Sequence, residues 1–95
     1  MDSKYGQEIK MSLVKEVIED KIEVVGPYKS VQVRTATVIK EDGVELNRSF
    51  SRKVISAGDD YSSESTEVQG ICATVHTSEV VAAYAAYQLA QESED

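Results

Sequence analysis

Few residues in this chain could do chemistry. Cys72 and His76 stand four apart in a stretch with helical spacing, so both side chains fall on one helix face. A structural zinc site takes four ligands, and the chain holds no other Cys or His. As a nucleophile and its base, the pair lacks an orienting third group and an oxyanion hole. A packed cysteine beside a boundary histidine is therefore expected, with no enzymatic activity, metal or other cofactor. Asp59, Asp60 and Glu64 miss the spacing of an EF-hand loop and read as a solvated turn. No glycine-rich phosphate loop is present. Tyr84 and Tyr87, three apart, suit packing or a subunit interface.

The remaining chemistry is electrostatic. All ten Lys and Arg lie in Met1–Lys53, and Val54–Asp95 carries eight carboxylates and no cation. Two surfaces of opposite sign are expected, one of them able to meet an anionic partner. Arg34, Arg48, Arg52 and Lys53 are the candidate phosphate contacts, with Tyr28 as a candidate stacking ring. Phe50 reads as core. An equally physical reading makes Arg34 and Lys53 ordinary charges on a wet strand face. Arg48 and Arg52 fall on the apolar face, where a guanidinium needs a partner. Asp59, Asp60, Glu64 and Glu67 are the expected acids. The pI near 4.6 opposes coating of nucleic acid by the whole surface.

The elements that must position these residues follow from periodicity. Val14–Val25 reads as one or two strands, with a short helix as the rival for its first half, and ends at a Gly26-Pro27 turn. Asp42-Gly43 sits between two strand-like runs and signals a two-residue type I′ hairpin. That turn sets Lys40 opposite Glu45, Thr35 opposite Phe50 and Val31 opposite Val54. Side-chain alternation then collects Val31, Val33, Thr35, Thr37, Ile39, Leu46, Phe50 and Val54 as the core face. Gln32, Arg34, Ala36, Val38 and Lys40 lie on the wet face. Strands this long are expected to bend. Thr66 with Gln69 fits a capping box, and Val68, Ile71, Cys72 and Val75 form a helical stripe. Thr77 or Ser78 caps a second helix.

The expected organisation is a flexible segment over 1–10, a single domain over 11–91 and an acidic tail over 92–95. The domain holds a bent β-meander over about 14–55 and helices over about 66–76 and 78–91. Met11 is an alternative start. The fold class is mainly β with C-terminal helices (α+β), with two open sheet edges that seek partners. No apolar run approaches the roughly 20 residues of a membrane span, and the N-terminus lacks the apolar block of a secretory signal. One cysteine cannot form an internal disulfide and suits a reducing, cytoplasmic setting.

The residues VQVRTATVIKEDGVELNRSFSRKVISAGDD (Val31–Asp60) and VQGICATVHTSEVVAAY (Val68–Tyr84) resemble a family of small, mostly uncharacterised marine proteins carried by cyanophages. The resemblance covers roughly Lys21–Tyr84. It implies a small, strongly bent antiparallel β-barrel of Sm/LSm-like type, assembled as a homo-oligomeric ring. It also implies RNA or single-stranded DNA as partner, in the cytoplasm of an infected host cell. The alternative role is a phage structural or host-interaction module that binds a protein. The chain departs from Sm/LSm proteins in that no Arg is followed by Gly, so their uridine pocket does not carry over. Its helical signals also follow the strands, where an Sm helix precedes them.

Overall fold

The computed structural model describes residues 13–93, so the expected flexible segment over 1–10 and the last residues of the acidic tail lie outside them. Three strands precede two helices. They are β1 (Leu13–Val25), β2 (Ser30–Glu41), β3 (Val44–Ile55), α1 (Thr66–Val75) and α2 (Ser78–Ser93). The strands form an antiparallel meander in the order β1-β2-β3, and the described sheet is open, with β1 and β3 at its edges. Val14–Val25 is thus a single strand without the rival helix. Its burial pattern never reaches full cover, as befits an edge.

Turn chemistry sets both hairpins. Asp42 and Gly43 have φ of 52° and 85°, the double left-handed pair that a type I′ turn requires. Gly26 and Lys29 flank the β1–β2 turn with φ of 82° and 57°. The Lys29 amide donates to the Gly26 carbonyl there at 3.2 Å.

The described residues fall into two compact units. One comprises 13–20 and 34–52, and the other 21–33 and 53–93. The second holds the hydrophobic core. Val31, Val33, Ile55, Val68 and Cys72 are buried, with Ile22, Tyr61, Ile71 and Val75 packed against them. All four residues of the expected α1 stripe are in this cluster. The cap lies one residue earlier than expected. The Ser65 hydroxyl accepts from the Val68 amide at 3.2 Å, while the Gln69 side chain donates to the Glu64 carbonyl at 2.7 Å. Thr66 is therefore the first helical residue, and Thr66–Gln69 is not the capping box. For α2 the cap is Thr77, whose hydroxyl accepts from the Val80 amide at 3.2 Å.

The described residues of the first unit are all strand and turn, and burial there differs from the expected faces. Ala36 and Val38, expected on the wet face, are buried, while Leu46 and Phe50, expected in the core, are exposed by 56% and 46%. Being central, β2 has a strand on both sides, whereas β3 is an edge of the described sheet and its residues Val44–Val54 are exposed. Ala36 and Val38 share a face with Arg34 and Lys40 by alternation.

The phase of β3 also differs from the expected pairing. Glu45 and Arg48, three apart, bond each other, Phe50 lies beneath Arg34, and in the second unit Ile55 rather than Val54 joins Val31 in the core. The Phe50 and Ile55 contacts place the two strands one residue out of the pairing set by the turn, and the buried side chains of β2 change face between Val33 and Ala36.

Candidate interaction surface

In the first unit the cations are held by acids of the neighbouring strand or of their own. Arg34 makes a bidentate pair with Asp20, at 3.0 Å from Nε and 2.8 Å from Nη2. Its guanidinium also lies 4.4 Å from the centroid of the Phe50 ring, a cation–π contact. Lys40 pairs with Glu16 at 3.3 Å. Arg48 forks onto Glu45 at 3.0 and 2.9 Å. The expected acids for Arg48 lay in Asp59–Glu67, but the strand supplies its own.

These pairs show in the titration of the groups. The Arg34 hydrogen bonds hold the Asp20 carboxyl below the usual carboxylate range. The Arg48 hydrogen bond lowers Glu45 in the same way, and Glu45 in turn raises Arg48. Asp20 also feels the charge of Arg48, so Arg34 and Arg48 act on one acidic position.

Arg52 on β3 and Lys15 on β1 are the exceptions: both are exposed and neither makes an ion pair with the described residues. Lys53 and Tyr28 belong to the second unit. Lys53 pairs with Glu64 at 2.7 Å. The Tyr28 ring packs on Tyr84 and Tyr87, with centroids 5.5 and 5.1 Å away, and Tyr84 and Tyr87 stack at 6.4 Å.

Among the described residues neither unit carries a net positive charge. The described residues of the first unit hold five cations and six carboxylates, and those of the second hold three and seven. The sequence divides its charge at Lys53, but β1 brings its own acids, Glu16 and Asp20, to the cations of β2. The sequence offers no turn signal that fixes the register of β1 on β2, so these pairings were not legible there.

Cys72 is free and fully buried; burial pushes its thiol up, and the charge of Glu64 adds to the effect. His76 caps the C-terminus of α1, with Nε2 2.7 Å from the Lys29 carbonyl. That contact needs a proton on Nε2, because a carbonyl only accepts. Nδ1 is buried without a partner. Among the described residues no three His, Cys, Asp or Glu are grouped to hold a metal ion. Asp59 and Asp60 act as turn residues, accepting from the Ser56 and Ser62 amides at 2.7 and 2.9 Å. The Ser62 hydrogen bonds lower Asp60.

The surface left over is apolar. In the first unit Leu13, Val17, Val44, Leu46 and Phe50 are exposed by 68%, 62%, 63%, 56% and 46%. No described helix is long and apolar enough to cross a membrane. No protein-family model matches the chain, and comparison with curated proteins and with solved structures returns no match.

Proposed function

We propose that this chain is a non-catalytic interaction module whose open sheet meets another protein surface. The observation that carries this reading is the first unit, whose described strands expose large apolar side chains while their cations are mostly neutralised in pairs. A phosphate backbone would have to displace Asp20 and Glu45 before it could use Arg34 and Arg48. An apolar or strand-bearing partner would not. Edges of this length favour pairing with another chain. The resemblance to cyanophage proteins supports a role as a virion component or as a module that binds a host protein.

A second reading rests on Arg52, Lys15 and Lys29, exposed cations without ion pairs among the described residues. With the same resemblance, they support an Sm-like ring of bent barrels that binds RNA or single-stranded DNA. Copies would close the open sheet by edge pairing.

Two measurements separate the readings. One is filter binding of single-stranded RNA and DNA at about 50 and 200 mM salt. The other is capture on immobilised protein from nuclease-treated cyanobacterial lysate, with light scattering of the protein alone. Retention of one protein supports the module. Nucleic-acid binding that falls steeply with salt, with no protein retained and a mass above the 10.4 kDa of one chain, transfers the function to the second reading.

A further inference from the structure

One side of α2 is turned inward, and the other is apolar and faces solvent. Val80, Val81 and Tyr84 are half-covered, and Val81 Cγ1 lies 3.5 Å from where a Cβ on Gly58 would stand. Tyr84 and Tyr87 pack on the Tyr28 ring. Helical spacing sets Ala82, Ala83, Ala86, Leu89 and Ala90 on the opposite side, along one stripe. All five are exposed, Leu89 by 65%. An outward helix face ordinarily carries charge, yet Val80–Gln91 carries none. Small side chains let a second helix come to the short end of the usual interaxial range of about 8–10 Å, and Leu89 supplies a knob for it.

The charges around the stripe select the helix that fits. Glu79 lies at its start, and Glu92 flanks its end about 20 Å farther along the axis. The C-terminus of α2 adds the negative end of the helix dipole beside Glu92, with no basic residue in the last turn. The chain holds no Lys or Arg after Lys53 to offset these charges. A second copy of α2 fits poorly. Antiparallel pairing sets Glu79 near Glu92 of that copy, parallel pairing sets each Glu near its counterpart, and like charges oppose both. We infer that the Ala82–Ala90 stripe of α2 docks a helix of a partner protein, one with an apolar stripe and Lys or Arg at both ends of it. This surface belongs to the second unit and is independent of the role proposed for the first.

Calorimetric titration of the full chain with synthetic helical peptides tests the surface. The probe is a Leu/Lys peptide with Leu along one stripe and Lys at both ends. A second peptide has the same composition in an order without a stripe, and a third has Glu in place of Lys. The striped Lys peptide is expected to bind about tenfold more tightly than either. Ala86→Arg puts a long cation in the middle of the stripe, and Arg is a good helix former, so α2 is retained. It is expected to weaken binding about tenfold. Gln88→Arg makes the same change of charge at an exposed position off the stripe, and is expected to leave binding within about twofold. Equal binding of the two Lys peptides overturns the docking surface, because charge attraction alone then accounts for it. Equal losses in the two variants, or no binding of the striped peptide, overturn it as well. A two-chain mass in sedimentation equilibrium that Ala86→Arg reduces to one chain assigns the stripe to a second copy and overturns the partner helix.

Discussion

Asp20 and Glu45 decide what the cations of this chain can do. Each carboxyl is held low by a forked guanidinium, Arg34 for Asp20 and Arg48 for Glu45. A depressed carboxyl contributes stability that is fully present above its unfolded value. The contribution disappears as pH falls below about 4, through the lower folded values. The expected outcome is a loss of stability on acidification, measured as the urea midpoint between pH 6 and 3. Asp20→Asn removes the Asp20 share, so its midpoint is expected to depend less steeply on pH. Arg34 also shows what a sequence can and cannot convey. Its exposure to neighbours was legible, because alternation from Asp42-Gly43 places it away from Val33. Its partner was not, because nothing near Asp20 announces which strand it will lie beside. Phe50 was misplaced because an aromatic in an alternating run reads as core, whereas it is 46% exposed and lies beneath the Arg34 guanidinium.

At the level of elements, the strongest signals were local. Asp42-Gly43 turned the chain as two-residue hairpins do, and both residues have positive φ. Gly43 has open space where a Cβ would stand, so the cost of a side chain there is purely conformational. Gly43→Val is expected to destabilise by about 1–2 kcal/mol, measured by thermal unfolding, with the same fold retained. The α1 stripe was equally legible, since Val68, Ile71, Cys72 and Val75 recur at helical spacing and all reach the core. Its cap was missed by one position because Ser65 and Thr66 are both good caps, and only the observed bond to the Val68 amide distinguishes them. Ser65→Ala is expected to cost about 1 kcal/mol in chemical denaturation, and Thr66→Ala much less. The change of pairing that puts Ile55 rather than Val54 in the core left no trace in the sequence.

For the whole molecule, cover is uneven. The fully buried side chains of the second unit are Val31, Val33, Val68 and Cys72, drawn from β2 and α1. Local opening costs most where burial is densest. Amide hydrogen exchange is therefore expected to be slowest in the middle of β2 and in α1. Cavity formation belongs at this scale too. Val68→Ala, at a position with no exposure, is expected to cost on the order of 2 kcal/mol. Most of that loss is expected as faster exchange throughout the second unit.

In α2 no described side chain is fully buried. Val80, Val81 and Tyr84 are half-covered, and the stretch from Val80 to Gln91 carries no charge. A helix so lightly held opens by itself well before the sheet gives way. The protease that can report this is dictated by the same chain. Trypsin finds no Lys or Arg after Lys53 and is blind to both helices. A chymotrypsin-like enzyme meets Tyr84, Tyr87 and Leu89 on α2 itself. Brief digestion with it should trim the chain there first and leave β1 through α1 as the resistant fragment.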